Sequence, residues 1–311
     1  MREGQASRTA EYMALFRALE SSLPAARRLF DDPLARGFLG WRLALLARLA
    51  ALPGLRELVP RIIDSRVPGA RSSAVARTRF IDDAIAASLS EKSEQLVILG
   101  AGFDSRAYRL PGLRDVDVFE VDHPDTLRTK RRTLERTLSA LPENVRFVAA
   151  DFGRRDLASI MAAAGYRESA STFILWEGVT NYLSEEAVDD TLRWCARASP
   201  GSRLLFTYVH SEVLTRPEAF IGTERLRASL EKFGERWTFG IEPSRVPGFL
   251  AARGLSLERD LSATEYRARY LEGAAHAMRG YEFYRIAVAR VARSSPRLTG
   301  RRPRGPESAA S

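Results

Sequence analysis

Five short apolar runs, separated by stretches of about 20 to 30 residues, limit the folds available to the centre of this chain. They occupy residues 95–99, 117–121, 146–149, 172–176 and 203–209. Runs of this length are typical of buried strands, and helix-length stretches between them are typical of crossover connections. Because such crossovers are right-handed, the pattern predicts an α/β fold with a doubly wound parallel sheet.

The amino-terminal part of the chain has a different pattern. Residues 11–19, 39–52 and 73–89 carry apolar side chains at three- and four-residue spacing, which predicts amphipathic helices. We therefore expect a helical cap over residues 1–92 in front of the sheet. Such a cap could pack on the larger body or act as a lid over a ligand.

The region after the fifth strand also departs from simple alternation. Residues 211–237 and 244–253 are predicted helical, whereas 255–261 and 282–291 are predicted as two late strands, paired antiparallel at the sheet edge. The main domain is then expected over residues 93–292, with a helical insertion at about 211–280. Residues 293–311, rich in Pro, Ser, Gly and Arg, are expected to form a disordered basic tail.

The composition excludes several classes of protein. Cys195 is the one cysteine in 311 residues, so a disulfide framework is impossible, and the three histidines share no metal-ligand spacing. The first residues show no secretory signal, and arginines interrupt the most apolar stretch, residues 38–59. We therefore predict a cytoplasmic protein with neither a membrane span nor a metal site.

The net charge of +9 raises the question of nucleic-acid binding. However, 45 of the 48 basic residues are arginines, as a GC-rich genome would produce, and the tail at 293–311 supplies +4 of the charge. These two observations weaken the charge as evidence for a nucleic-acid partner, so the sequence does not predict one. It also predicts no particular oligomeric state.

The first strand leads directly into a glycine turn, Gly100-Ala101-Gly102. Two glycines allow a tight turn and a close approach of the backbone to a ligand. The dinucleotide fingerprint requires a third glycine at position 105, where this chain has Ser105 preceded by Asp104. Asp104 disfavours a pyrophosphate and suits a ligand with a cationic amino-acid group, although it could also cap the following helix.

Acidic residues also follow the next three strands. Asp122 lies 22 residues after Gly100, at the distance where a carboxylate binds ribose hydroxyls, and Glu120 is a second candidate. Asp151, with the neighbouring Phe152, could bind an adenine ring. Glu177 would end a buried strand, so it needs a cationic partner such as a ligand ammonium or an arginine. Helix or loop capping is the alternative for Asp122 and Asp151.

Several of these strings, taken together, resemble the leucine carboxyl methyltransferase family, in particular its bacterial branch of S-adenosylmethionine-dependent methyltransferases. The likeness covers roughly residues 70 to 210 and rests on Arg77-Thr78, LGAGFDSRAYRL (99–110), EVDHP (120–124) and EGVTNYL (177–183). The resemblance implies a seven-strand Rossmann-like methyltransferase sheet whose last two strands form an antiparallel edge.

The resemblance also implies S-adenosylmethionine as the cofactor and a role for each matching residue. Under it, Tyr182 would face the transferred methyl group. The cofactor-binding residues and the parts that they would hold are Arg77 for the carboxylate, Gly100 and Gly102 for the methionine, Asp122 for the ribose, Asp151 and Phe152 for the adenine, and Glu177 for the amino group.

The implied chemistry is an in-line displacement, which depends mainly on orienting the two reactants in a dry site. A carboxylate acceptor needs no base, whereas a hydroxyl acceptor does, and His210 after the fifth strand is the best-placed candidate. We therefore expect an O-methyltransferase acting on a carboxylate or hydroxyl of a small molecule. The alternatives are a protein C-terminal carboxyl methyltransferase, an NAD-binding oxidoreductase or a non-catalytic binding protein.

Overall fold

The computed structural model describes residues 8–151, 157–232, 234–273 and 279–292. Its centre is a seven-stranded sheet with the spatial order β3-β2-β1-β4-β5-β7-β6. The strands are β1 (Gln95–Leu99), β2 (Asp117–Asp122), β3 (Val145–Ala149), β4 (Thr172–Trp176), β5 (Arg203–Val209), β6 (Leu255–Ser262) and β7 (Tyr284–Val291).

The sheet confirms the predicted fold class. Strands β1 to β5 are parallel, and β7 lies antiparallel between β5 and β6. The central strands β1 and β4 are buried along their whole length, as expected for apolar runs covered by helices on both faces. Since Leu99 pairs with Val121 and Asp122 with Ala149, the carboxyl ends of β1, β2 and β3 lie side by side.

Four helices precede the sheet, and eight more follow β1 in the described part of the chain. The first four are α1 (Arg8–Ser21), α2 (Trp41–Leu49), α3 (Leu55–Arg66) and α4 (Ala70–Ser90). The later helices are α5 (Arg106–Arg109), α6 (Pro124–Thr137), α7 (Leu157–Ala163), α8 (Glu185–Cys195), α9 (Glu212–Thr215), α10 (Thr223–Lys232), α11 (Val246–Ala251) and α12 (Ala263–Tyr270).

The amino-terminal helices pack on one another and on the glycine turn. Leu15, Leu19 and Ala74 belong to a buried cluster that joins α1 to α4. The Arg17 guanidinium of α1 bonds to Asp32 at 2.8 Å and donates to the Phe103 carbonyl at 2.6 Å. Helix α1 is therefore fixed directly over the turn that follows β1.

The predicted helix over residues 211–237 is wrong in its extent. The structure divides this segment into α9 and α10, with a short 3-10 turn, Pro217–Ala219, between them. Pro217 cannot continue a helix from the preceding turn, and Gly222 adopts a φ of +83°, outside helical values.

In the described residues, no helix combines the length and apolar character needed to cross a bilayer. The predicted tail at 293–311 lies outside the described residues.

Candidate active site

The glycine turn after β1 has a backbone that requires glycine. Gly100 has a φ of +68° and Gly102 a φ of +42°, which is the left-handed region. A Cβ on Gly100 would lie 2.2 Å from Cγ2 of Val179, so the turn also packs too closely there for a side chain. The amide of Gly100 donates to the Val121 carbonyl at 2.8 Å, which joins the turn to β2.

Asp122, the last residue of β2, is fixed beside this turn. Its carboxylate accepts from the amide of Gly102 at 2.7 Å and from that of His123 at 2.6 Å. Burial raises the pKa of Asp122, and these two amides act in the opposite direction. The Thr126 side chain also hydrogen bonds to this carboxylate. A carboxylate has about four acceptor positions, so about one remains for a further donor such as a ligand hydroxyl.

A buried network of charges lies at the end of β4. Glu177 accepts from Nε of Arg77 at 2.6 Å and from Arg106 at 3.0 Å. Burial alone would raise the pKa of Glu177, but the guanidiniums of Arg106 and Arg77 outweigh burial and hold the pKa below its ordinary value. The expectation that Glu177 has a cationic partner is thus confirmed, and the partners within the chain are two arginines.

Asp104 belongs to the same network. Its carboxylate accepts from the backbone amide of Arg106 at 2.8 Å and also pairs with the Arg106 guanidinium. Burial opposes ionisation, but Arg106 and Lys130 lower the pKa of Asp104 to about 2. Arg106 extends the network further, because its Nε donates to Asp82 at 2.8 Å. The cap that we considered for Asp104 is therefore present, since its carboxylate accepts a hydrogen bond from the first backbone amide of α5.

The end of β3 is described only in part. Asp151 is exposed and lies on the wall of the same cavity as Asp122. Phe152, predicted to lie against an adenine ring, falls outside the described residues.

These strand ends open into one cavity of about 910 Å³. This volume is at the upper end of the range usual for small-molecule sites, about 300–1,000 Å³. The cavity continues from Gly100, Asp122 and Glu177 to a mainly apolar part between α1, the α2–α3 pair and α10. Side chains on the wall of that second part include Tyr12, Met13, Leu46, Ile63, Leu226 and Trp237.

A polar cluster joins the two parts of the cavity. The hydroxyl of Tyr182 donates to Glu235 at 3.2 Å, and the hydroxyl of Thr9 donates to the same carboxylate oxygen. Glu235 is 8% exposed, and all three residues lie on the cavity wall. Burial, followed by the charge of Glu235, raises the pKa of Tyr182, so this phenol stays protonated at neutral pH. Glu235 was not among the residues predicted from the sequence, because it lies in an irregular segment without any recognisable pattern.

His210 is not among the described residues that line this cavity, so the geometry does not support its predicted role as the base. Its Nδ1 accepts from the amide of Glu212 at 3.2 Å, and its Nε2 lies 3.4 Å from a carboxylate oxygen of Glu242. Its ring packs on Phe220 with 5.4 Å between centroids. His210 thus lies directly after β5, next to the start of α9.

Two further arginines reach the cavity. Arg66, the last residue of α3, and Arg236, which follows Glu235, are both exposed on its wall. Neither guanidinium forms an ion pair within the described ranges, in contrast to Arg77 and Arg106. The cavity therefore has paired cations at the strand ends and unpaired cations in its second part.

The strand-end groups suit a particular type of ligand. An adjacent arginine and glutamate complement the carboxylate and ammonium of an amino acid. Asp122 offers an acceptor for a ligand hydroxyl, and no phosphate-binding third glycine is present. The sheet order and this site together define a nucleoside-binding protein of the methyltransferase class.

Comparison with known proteins identifies the family. Residues 10–196 match the leucine carboxyl methyltransferase family, and this chain belongs to it. A relative from Parafrankia sp. (strain EAN1pec) is 35% identical over 269 residues, covering 84% of this chain and 81% of the relative. A relative from Mycobacterium sp. (strain KMS) is 33% identical over 245 residues, covering 75% of each chain. Both are named as S-adenosyl-L-methionine-dependent methyltransferases.

Solved structures confirm the fold. A crystal structure described as a methyltransferase from Thermobifida fusca is similar with a TM-score of 0.58, 17% identity, and coverage of 94% of this chain and 97% of that one. A DUF574 family protein from Streptomyces avermitilis is similar with a TM-score of 0.56, 15% identity, and coverage of 93% and 98%. The chain is thus an S-adenosylmethionine-dependent methyltransferase of the leucine carboxyl methyltransferase family.

Proposed function

We propose that this enzyme transfers the methyl group to an oxygen atom of a small apolar molecule bound in the second part of the cavity. In this proposal the strand-end residues hold S-adenosylmethionine. Arg77 binds its carboxylate and Glu177 its ammonium, while Gly100 and Gly102 border the methionine. Asp122 accepts from a ribose hydroxyl. Asp151 and Phe152 take the adenine.

The observation that carries this proposal is the continuity of the cavity. A single continuous volume runs from the charged strand ends, past Tyr182 and Glu235, to a wall of mainly apolar side chains. Methyl transfer needs the acceptor and the donor in contact along one line, with water excluded. A cavity with a polar cofactor end that continues into an apolar acceptor end allows donor and acceptor to meet.

The residues between the two ends of the cavity supply acid–base groups for the reaction. S-adenosylmethionine, when bound, supplies a methyl group attached to a sulfonium sulfur, and this sulfur is released as a thioether. Glu235 is placed to take the proton of an acceptor hydroxyl, and Tyr182 and Thr9 fix the orientation of that carboxylate. A buried carboxylate at this position also repels a carboxylate acceptor, which favours a hydroxyl or phenol.

Arg66 and Arg236 support a second candidate function. These guanidiniums, which have no ion pair among the described residues, belong to residues on the same wall and would attract a carboxylate. A carboxylate is already ionised at neutral pH and needs no base. A small carboxylic acid or the C-terminus of a protein chain would satisfy this arrangement, and the family name is compatible with either.

The stability of the labelled product in alkali distinguishes these candidate acceptors. The purified enzyme is incubated with S-adenosylmethionine labelled in the methyl group and with matched apolar phenols, alcohols, carboxylic acids and peptides with a free C-terminus. Methyl ethers resist mild alkali, whereas methyl esters release labelled methanol. We expect alkali-stable label on a phenol or alcohol. Alkali-labile label would select the carboxylate candidate, and label on carbon or nitrogen would overturn O-methylation.

A further inference from the structure

The α2–α3 pair carries an exposed apolar surface that the active site does not use. Among the described residues, eight large hydrophobic side chains are exposed, and six of them lie between positions 41 and 62. We call these six side chains the apolar stripe. They are Trp41 (73% exposed), Leu45 (50%), Leu49 (40%), Leu52 (50%), Leu58 (47%) and Ile62 (43%).

Helical spacing places these side chains together. Trp41, Leu45 and Leu49 are four residues apart on α2, and Leu58 and Ile62 are four apart on α3, so each set lies on one helix face. Leu52 is in the short connection between the two helices. A monomeric protein in water seldom concentrates its exposed large apolar side chains in one such patch.

The opposite side of the same helices faces the cavity. Leu43 and Leu46 of α2 and Ile63 of α3 line its apolar part. Helix α2 therefore has apolar side chains on both its inner and its outer face, and it contains no acidic residue. Its two charged residues, Arg42 and Arg48, are exposed, so the outer surface of α2 combines apolar side chains with positive charge.

The charges around the stripe indicate its partner. Residues 36–66 contain six arginines against Glu57 and Asp64, a formal charge of +4. Arg42, Arg48 and Arg61 are exposed. A symmetric dimer through the stripe would bring this charge against its own copy. An anionic lipid surface, in contrast, matches both the apolar side chains and the arginines, as in interfacial amphipathic helices.

We propose that the α2–α3 pair docks on an anionic lipid bilayer, with the apolar stripe inserted at the headgroup level. The enzyme then binds at the membrane surface and not across it. Docking brings the two helices whose inner side lines the apolar part of the cavity to the membrane surface, where apolar acceptors are concentrated. The docking itself does not depend on which atom is methylated.

Vesicle co-sedimentation of the full chain tests this proposal. The protein is mixed with vesicles of phosphatidylcholine alone or of phosphatidylcholine with 30% phosphatidylglycerol, in about 0.1 M salt. We expect binding to the anionic vesicles and a partition coefficient at least about tenfold lower for the variant Leu45→Ser/Leu49→Ser. Ile221→Ser is the matched control, because Ile221 is 42% exposed outside the stripe. Circular dichroism and the melting temperature establish that each variant is folded.

Tryptophan fluorescence gives an independent measurement. Trp41 is exposed, whereas Trp176 and Trp194 are buried, so insertion should shift its emission to shorter wavelength and allow quenching by brominated lipid. The Trp41→Phe variant should lose this response.

Three results would overturn the proposal. One is no binding to anionic vesicles. Another is binding that the double serine variant leaves unchanged, which would mean a general attraction of arginines. The third is a concentration-dependent dimer that the double variant abolishes, which would make a second copy the partner.

Discussion

The hydroxyl of Thr9 donates to the carboxylate of Glu235, although the two residues are 226 positions apart in the chain. Tyr182 donates to the same oxygen, so three distant segments meet at one point of the cavity wall. Helix α1 is thereby tied to the acceptor side of the cavity, and Arg17 ties it to the glycine turn. The amino-terminal helix thus contacts both halves of the candidate site.

Replacing Glu235 tests its role as the base. For a hydroxyl acceptor we expect Glu235→Gln to lower kcat by roughly 10²- to 10⁴-fold, because proton removal is lost. Binding of S-adenosylhomocysteine, measured by calorimetry, should be unchanged. Glu231→Gln is the control, since Glu231 is an exposed residue of the neighbouring α10. An unchanged kcat across the pH range would remove Glu235 from catalysis.

A parallel test concerns His210. Its ring is engaged with Phe220 and the amide of Glu212, away from the cavity wall. We expect His210→Ala to keep its kcat, with at most a modest loss of thermal stability. A loss of kcat in the folded variant, without a change in cofactor affinity, would restore His210 as the base.

Asp122 is expected to contribute to cofactor affinity. Asp122→Ala should weaken S-adenosylhomocysteine binding by about 1–3 kcal/mol, roughly 5- to 150-fold, as buried hydrogen bonds are lost. Calorimetry measures the change, and NADH serves as a ligand that the site should reject. Asp117→Ala, at the opposite end of β2, is the control. Equal affinities for the wild type and Asp122→Ala would place the ribose elsewhere.

Gly100 can be tested by a double-mutant cycle. Both Gly100 and Gly201 have a positive φ, but the space for a Cβ is open at Gly201 and filled by Val179 at Gly100. Gly100→Ala should therefore lower the unfolding free energy by about 1–3 kcal/mol more than Gly201→Ala. Val179→Ala should recover part of this difference in denaturant titrations. Equal costs at the two glycines would show that the close approach is unimportant.

The acid stability of the fold should depend on Asp104. Its pKa is lowered to about 2 in the folded protein, so its ionised form stabilises the fold above the unfolded pKa near 4. This contribution, about 2 kcal/mol, is lost as pH falls from about 4 to 2. The difference in unfolding free energy between the wild type and Asp104→Asn should shrink over that interval. A constant difference would mean that Asp104 is not ionised in the fold.

The sequence was informative where local chemistry determines structure. The five apolar runs and the two late strand patterns predicted all seven strands to within two residues at each end. The central strands β1 and β4 match their predicted bounds, because strands buried on both faces need continuous apolar residues. The acidic residues after β2, β3 and β4 were predicted to converge, since parallel strands end at one edge. Asp122, Asp151 and Glu177 do line one cavity.

The rest of the site depends on tertiary contacts that leave no local pattern. Arg106 joins Asp82, Asp104 and Glu177, which lie in separate segments, and Glu235 meets Thr9 across almost the whole chain. The surroundings of His210 likewise leave no local pattern. This residue follows a predicted strand end, and its ring contacts Phe220 and lies outside the described lining of the cavity.

The antiparallel edge of the sheet limits the order in which the strands can pair while the chain is being synthesised. Strand β7, near the end of the described chain, lies between β5 and β6. Until residues 284–291 emerge from the ribosome, β5 has an open edge and β6 has no partner within the sheet. Synthesis through residue 291 must therefore precede completion of the sheet, and a nascent chain stopped before residue 284 would expose a strand edge able to pair with other molecules.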